Sequence, residues 1–321
     1  MAPLPEMRLE PKLPFQVTGV DYAGPMSIKS KSGRGFQMSK AYVCLFVCAI
    51  TKAIHIELVT DSTKESFLLA LKRFVSRRGR PSVICSDNGT NFKAASQDLI
   101  ELGKFISNNK DELEEFFNRN EFNWKFIPPY SPHFGGLWEA GVKRMKYHLR
   151  SVTRNLILTF EQLDTLLIEI EAILNSRPLS PLSDSSHDLL PLKPQHFLIG
   201  RSSAYFQEPD LSHLSVNRMS LFQHLTQVKQ HIWRRWSKEY VSELQQRTKW
   251  KSNHEALKVN SLVLLKEDNT PVMQWKLGRI EAIHTGADGV PRVASIRTQN
   301  GTVKRTFPRI CPLPFDRDES H

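Results

Sequence analysis

The sequence is poor in cysteine and lacks any long apolar run. Its 321 residues include four cysteines, Cys44, Cys48, Cys85 and Cys311, and no CxxC pair of the kind that holds zinc. No apolar run approaches the roughly 18–20 residues of a membrane span, so we expect no membrane partner. Cys44 and Cys48 stand four residues apart in an apolar stretch, which predicts two buried thiols on one face of a strand.

Acidic residues are too few to balance the basic ones. The chain carries 44 Lys and Arg against 33 Asp and Glu, a net charge of +11. This excess favours a polyanionic partner, most simply nucleic acid. Residues 217–321 hold 18 Lys and Arg against 10 Asp and Glu, a net charge of +8. We therefore expect this part to bind DNA through phosphates, with little sequence preference.

Hydrophobic periodicity predicts an α/β layer fold followed by a helix and a small barrel. A first strand runs from Phe15 to Asp21 and ends at Gly24-Pro25. Turn signals at Asp288-Gly289 and Asn300-Gly301 separate short strands near the C-terminus, a pattern typical of a small β-barrel. The predicted organisation is a linker over 1–14, an α/β core over 15–180, a Pro/Ser-rich linker over 181–216, an amphipathic connector helix over 217–251, the barrel over 252–315 and a tail over 316–321.

The remaining elements of the predicted core follow from apolar spacing and turn residues. Strands are expected at 40–49, 53–58, 83–85 and 123–127. Helices are expected from Asp61 to about residue 78, at 91–105, 109–119 and 136–155, and from Thr159 to Asn175.

Three carboxylates stand at the ends of predicted elements. Asp21 and Asp87 each follow a buried strand, and Glu139 lies in the first turn of a basic helix. Taken singly, the two aspartates are common turn residues, and the glutamate is a surface acid favoured by the helix dipole. Together they suggest that the fold gathers three acids at one place.

Three carboxylates within a few ångströms repel one another unless cations lie between them. Hard oxygen ligands suit Mg²⁺ or Mn²⁺, and two such ions can activate a hydroxyl or water and stabilise the leaving oxygen of a phosphodiester. A basic protein with this cluster is a candidate phosphotransferase acting on nucleic acid.

The segments around these acids resemble the three catalytic blocks of retroviral and retrotransposon integrases, most closely those of the BEL/Pao class of LTR retrotransposons. They are Gly19-Val20-Asp21-Tyr22-Ala23-Gly24-Pro25, Ser86-Asp87-Asn88-Gly89-Thr90-Asn91-Phe92 and Pro129-Tyr130-Ser131-Pro132-His133-Phe134-Gly135-Gly136-Leu137-Trp138-Glu139. Further matches are Asn175-Ser176-Arg177-Pro178-Leu179, Trp233-Arg234-Arg235-Trp236, Leu262-Val263-Leu264-Leu265-Lys266 and Trp275-Lys276-Leu277-Gly278-Arg279, so the resemblance extends from about Ala2 to Pro314.

The resemblance implies a ribonuclease-H-like core with a mixed sheet, a long connector helix and an SH3-like C-terminal barrel. It implies that Asp21, Asp87 and Glu139 are catalytic residues that hold two Mg²⁺ or Mn²⁺ ions. The implied activity is that of a polynucleotidyl transferase, which processes the 3′ ends of element DNA and joins them to target DNA. That activity implies that the protein binds double-stranded DNA, forms a homo-oligomer and acts in the nucleus.

The resemblance also implies DNA contacts. Lys143 and Lys146 follow Glu139 on the same helix face and are expected to hold the DNA end, although their spacing also fits solvated helix charges. The other predicted DNA contacts are Asn88, Thr90, Tyr130, Arg235, Lys276 and Arg279.

The sequence departs from the family pattern in two respects. Fifty-one residues separate Asp87 from Glu139, more than in retroviral integrases, and we expect the excess in a helical insertion between Phe92 and Asn123. We also expect no counterpart of the family's N-terminal zinc-binding domain. Two alternative functions remain: a DNA-binding remnant or host-adopted derivative without catalysis, and a different ribonuclease-H-like nuclease, which would not need a second DNA-binding platform.

Overall fold

The computed structural model describes residues 13–61, 63–87, 123–127, 147, 157–183, 185–201, 206–215, 218–251 and 257–313. The chain divides into two compact units, Met1–Leu174 and Asn175–His321. Within the described part of the chain, no helix is long and apolar enough to cross a membrane.

The N-terminal unit is built on a mixed sheet in the order β3-β2-β1-β4-β5. Strands β1 to β3 pair antiparallel, β4 lies parallel to β1, and β5 lies parallel to β4. A short strand, β6, also pairs with β1. The elements are β1 Val17–Lys29, β2 Met38–Cys48, β3 Ile54–Val59, α1 Lys64–Arg78, β4 Val83–Asp87, β5 Asn123–Ile127, β6 Leu158–Thr159 and α2 Phe160–Asn175.

The core of this unit lies against the central strands. Strand β2 is buried at every position from Ala41 to Cys48, as expected for a strand covered on both faces. The ring of Phe74 on α1 stacks on Phe46 at 4.2 Å between centroids and meets Phe15 edge-on at 5.2 Å. These contacts fix helix α1 on one face of the sheet.

The mixed α/β fold, strands β2 to β5 and helix α2 confirm the predictions from sequence. All four cysteines are buried, as predicted for Cys44 and Cys48. The helices predicted at 91–105, 109–119 and 136–155 lie outside the described residues, except that residue 147 is helical.

The prediction that β1 ends at Gly24-Pro25 was wrong. The strand continues to Lys29, and its register with β2 shifts between Ala23 and Met26. Proline cannot donate a ladder hydrogen bond, and a bulge is one of the few places where a strand tolerates it. Gly24 has φ +141°, and a Cβ there would lie 2.9 Å from Tyr42 Cδ1, so glycine is required.

The C-terminal unit combines a long helix with an antiparallel sheet in the order β12-β11-β10-β9-β13. The sheet agrees with the small SH3-like barrel predicted from sequence, and the helix begins four residues later than predicted. The elements are β7 Ser180–Pro181, β8 Pro191–Leu192, α3 His196–Ile199, α4 Leu221–Lys251, β9 Leu262–Leu265, β10 Leu277–Thr285, β11 Pro291–Thr298, β12 Gly301–Thr306, a 3₁₀ turn Phe307–Arg309 and β13 Ile310–Pro312.

Strand β9 is buried on both faces and joins two hydrophobic cores. Leu262 and Leu264 pack with Val241 and Leu244 of helix α4. The alternate residues Val263 and Leu265 face the other way, into a cluster formed with strands β10, β11 and β13. Alternation along this strand therefore fastens the helix to the sheet.

Residues 206–215 fall within the predicted linker 181–216, and in the structure they contact helix α4. Gln230 Oε1 accepts a hydrogen bond from the backbone N–H of Leu211 at 2.9 Å, and Gln227 Nε2 donates to the carbonyls of Leu211 and Leu214, both at 2.9 Å. Lys229 Nζ lies 2.8 Å from a carboxylate oxygen of Glu208. We call residues 206–215 the strap, because glutamine side chains bind its backbone directly.

Candidate functional site

Asp21 lies in the middle of strand β1, with Leu45 of β2 as its antiparallel neighbour. It was predicted at a strand end, and the longer β1 explains the difference. Its side chain is half-buried, and Oδ1 accepts a hydrogen bond from the backbone N–H of Tyr22 at 2.7 Å. Tyr22 is buried and contacts Phe67 of α1, so strand alternation puts the Asp21 carboxylate on the opposite face of the sheet from α1.

The sheet register places Asp87 next to Asp21. The parallel ladder between β1 and β4 pairs Val20 with Ser86, and β4 ends one residue later at Asp87. Asp21 and Asp87 are therefore at the same level on adjacent strands, whose backbones lie about 4.8 Å apart. The side chain of Asp87 is outside the described part of the structure. This placement supports the prediction that the two aspartates share a site.

Strands β4 and β5 end at the same level. Ile127, the last residue of β5, pairs with Asp87, the last residue of β4. In open α/β sheets, ligands bind at the edge where parallel strands end. Glu139 and the predicted DNA contacts Asn88, Thr90, Tyr130, Lys143 and Lys146 lie outside the described residues.

The donor chemistry at this edge suits a hard divalent cation. Asp21 supplies a carboxylate that a backbone N–H holds in place, and the neighbouring position on β4 is a second aspartate. In the described part of the chain, no three His, Cys, Asp or Glu residues come together as metal ligands. The residues that are described nonetheless fit a carboxylate metal site.

A buried ionic network, not predicted from the sequence, lies on edge strand β3. His55 and Glu57 are 1% and 4% exposed, and His55 Nε2 is 2.9 Å from Glu57 Oε1. Arg73 Nε donates to Glu57 Oε2 at 2.5 Å, and Arg77 Nη1 donates to Oε1 at 3.1 Å. The sequence signal was present: two polar residues, two apart, in the apolar strand Ile54–Val59 share one face.

Helix α2 completes this network through Glu171. Its Oε2 accepts a hydrogen bond from the backbone N–H of Ile56 at 2.8 Å, and its Oε1 accepts one from Arg78 Nη2 at 2.5 Å. Arg73 Nη2 also donates to the carbonyl of Leu58 at 3.3 Å. Backbone groups along the outer edge of β3 are thus bonded to side chains, which opposes pairing with another strand.

The network shifts the pKa of its members. Burial favours neutral His55, but hydrogen bonds to Glu171 and Glu57 outweigh burial and raise the pKa of His55 above its ordinary value. Burial also opposes ionisation of Glu57, yet His55 and Arg73 outweigh it and lower the pKa of Glu57. Both groups therefore favour their charged forms within the folded unit.

In the C-terminal unit, Arg279 is buried and holds the fold together. It is only 5% exposed, and its guanidinium donates to the carbonyls of Asp188, Asn260 and Ser183 at 2.7, 2.8 and 2.9 Å. These bonds tie the segment around residues 183–188 to strand β10. The placement argues against the predicted DNA contact, because the guanidinium faces backbone carbonyls rather than solvent.

The other two predicted contacts in this unit are more accessible. Arg235 is exposed on helix α4, whereas Trp233 and Trp236, which flank it in the sequence, are buried. Lys276 is half-buried and follows Trp275, whose ring meets Trp233 edge-on at 4.9 Å between centroids. The aromatic residues of both motifs form one cluster, which leaves Arg235 at the surface beside it.

The described residues form an α/β fold in which Asp21 and Asp87 are at the same level on adjacent parallel strands. Residues 11–132 match the integrase core domain family (rve), and residues 220–313 match a family of unknown function, DUF5641. Residues 11–132 are therefore similar to an integrase core domain. The matched range includes Asp21 and Asp87, and the second family begins where α4 begins.

Solved structures with similar chains are integrases. A chain of the simian T-cell lymphotropic virus intasome, in complex with the PP2A regulatory subunit B56 gamma, is 14% identical over 95% of this chain and 81% of its own, with a TM-score of 0.37. The catalytic core domain of BIV integrase is 13% identical over 58% of this chain and 95% of its own, with a TM-score of 0.36. The HTLV-2 integrase catalytic core domain in complex with magnesium (trimeric form) is 17% identical over 58% of this chain and 97% of its own, with a TM-score of 0.33. At these scores the likeness carries no weight for function, and the curated proteins contain no match.

Proposed function

We propose that this protein is an integrase of an LTR retrotransposon of the BEL/Pao class. It processes the 3′ ends of element DNA and joins them to target DNA. The observation that carries the proposal is the placement of Asp21 and Asp87 at the same level on adjacent parallel strands, inside an integrase core match. The sheet order β3-β2-β1-β4-β5 supports a ribonuclease-H-like core.

The residues that would hold two Mg²⁺ or Mn²⁺ ions are Asp21, Asp87 and Glu139. When bound, such ions supply Lewis-acid stabilisation of the phosphodiester undergoing attack. The chain itself supplies rigidity: Asp21 stands on a long central strand, and the Tyr22 N–H orients its carboxylate. Preorganised ligands of this kind need no rearrangement as charge develops.

DNA binding would involve both units. Around the acids, the proposed contacts are Asn88, Thr90, Tyr130, Lys143 and Lys146. In the C-terminal unit, Arg235 and Lys276 are proposed to contact phosphates, whereas Arg279 acts within the fold. Integration joins two DNA ends to one target, so a homo-oligomer acting in the nucleus is part of the proposal.

The test uses the full chain and a substrate that requires no knowledge of the element's ends. Purified protein is incubated with supercoiled plasmid and Mn²⁺, and conversion to the open circular form is measured. We expect nicking by the native chain and a loss of about 10³-fold or more in Asp21→Asn and Asp87→Asn, because a missing ligand disrupts the whole site. Duplex ends joined to the plasmid are then detected by labelling one 5′ end.

Asp164→Asn is the matched control. It also removes one carboxylate from the N-terminal unit, but from helix α2 rather than from the sheet edge. It should nick as the native chain does. Equal nicking by the Asp21→Asn protein would refute the site. DNA binding by a native chain that never nicks or joins would favour the alternative, a remnant that retains only binding.

A further inference from the structure

Four charged residues of the C-terminal unit converge from three elements, and we call them the Asp268 cluster: Lys238, Lys266, Asp268 and Arg309. Lys238 Nζ lies 2.7 Å from Asp268 Oδ1, and Arg309 Nη1 lies 3.8 Å from Asp268 Oδ2. Lys238 comes from helix α4, Arg309 from the 3₁₀ turn, and the other two from the loop after β9. One carboxylate therefore bridges two cations from separate elements.

The backbone beneath this cluster is held by side chains of helix α4. The indole of Trp233 is 1% exposed, and its Nε1 donates to the carbonyl of Thr270 at 3.0 Å. Gln245 Nε2 donates to the carbonyls of Pro308 and Ile310 at 3.1 and 3.2 Å. The loop and the turn are thus both anchored to one helix, so the backbone positions that carry the cations are held together.

The side chains of the cluster itself face solvent. Those of Lys238, Asp268 and Arg309 are 56%, 59% and 54% exposed. Arg309 Nη1 also donates to the backbone carbonyl of Lys266 at 3.4 Å. The hydrogen bond and charge of Lys238, followed by the charges of Arg309 and Lys266, lower the pKa of Asp268. Three cations against one acid leave the cluster positive, and Lys238 lies three residues after exposed Arg235 on the same helix.

We propose that Lys238, Lys266 and Arg309 form a binding site for a nucleic-acid phosphate, and that Asp268 occupies this site in the free protein. This inference rests on the proposed DNA-binding function. A phosphodiester presents two non-bridging oxygens that share one negative charge, and a carboxylate presents two oxygens with the same charge. Asp268 is therefore an internal competitor, which weakens attachment to any DNA that cannot displace it.

A second aspartate on the same sheet provides the comparison. Asp288, in the β10–β11 connection, pairs with Arg292 near the start of β11 at 2.9 and 2.5 Å. It also accepts a hydrogen bond from the Val290 N–H, so these bonds all join residues at most four apart in the sequence. Asp268→Asn and Asp288→Asn add the same charge to the protein, so a difference between them cannot come from net charge.

The experiment measures binding of the full chain to a fluorescent duplex of random sequence, by anisotropy, between 50 and 200 mM salt. We expect Asp268→Asn to bind at least about threefold more tightly at low salt. The plot of log K against log salt concentration should steepen by the amount expected for about one additional phosphate contact. Asp288→Asn and Asp268→Glu should stay within about twofold of the native chain, and Lys238→Gln combined with Arg309→Gln should lower the slope by about two phosphates.

Equal effects of Asp268→Asn and Asp288→Asn, or no effect of either, would overturn the inference while leaving DNA binding intact. A native chain that binds no duplex at any salt concentration would instead refute the DNA-binding function on which the inference rests. The two failures are therefore distinguishable in one set of titrations.

Discussion

Replacing Arg279 by Met should destabilise the C-terminal unit. The guanidinium donates to three backbone carbonyls, and each hydrogen bond to a charged group contributes about 1.5–3 kcal/mol when fully buried. Asp188, Asn260 and Ser183 all retain some exposure, so water can rehydrate part of what is lost. We therefore expect a loss of about 3 kcal/mol, which corresponds to roughly 6–12 °C in Tm for a unit of this size.

The assay follows tryptophan emission during urea and thermal unfolding, because Trp233, Trp236 and Trp275 pack together in this unit. Lys276→Met is the matched control, three residues earlier and half-buried. It should change the free energy of unfolding by no more than about 1 kcal/mol but weaken DNA binding. An Arg279→Met protein with the native midpoint and impaired DNA binding would refute the structural role and restore the prediction from sequence.

Two further predictions concern the buried network and the strap. Because the folded state raises the pKa of His55, protonated His55 stabilises the fold at pH values below its unfolded pKa near 6.5. This stabilisation is lost as the pH rises through the folded-state pKa. The Tm of the native chain should therefore fall between pH 6 and 8 by more than the Tm of His55→Gln. Gln227→Ala removes the side chain that donates to the carbonyls of Leu211 and Leu214, and should cost about 1–2 kcal/mol and speed proteolysis within the strap. Limited chymotrypsin digestion, which can cleave after Phe206, Leu211 and Leu214, checks the second prediction. Exposed Gln223→Ala is its control, and equal rates for the two variants would contradict it.

Local pattern was sufficient for much of the fold. Apolar runs bounded by turn residues located β2 to β5, α2 and most strands of the C-terminal sheet, because their burial follows directly from periodicity. Asp21 and Asp87 were also identifiable, since polar residues interrupting buried strands are unusual. Their adjacency required the β1–β4 register, which depends on long-range pairing that no local window contains.

The errors have physical causes. The Gly24-Pro25 pair carries a strong local stop signal, yet a bulge lets β1 pass through it. The strap forms neither a helix nor a strand, so its sequence shows no periodic pattern. Its backbone groups are bonded to side chains of α4, and local sequence does not reveal those bonds. The motif around Arg279 implied DNA contact, and its three carbonyl partners add a structural role that the motif does not predict.

Two features of the C-terminal unit decide where a stable fragment can begin. They are the burial of strand β9 on both faces and the carbonyls bound by Arg279. A fragment cut at residue 220, where the DUF5641 match begins, would keep helix and sheet joined but remove the acceptors at Ser183 and Asp188. It would also remove the backbone bound by Gln227 and Gln230. A domain exchange between related proteins should therefore include the residues from Asn175 onward, since helix α4 and the segments bound to it belong to one compact unit.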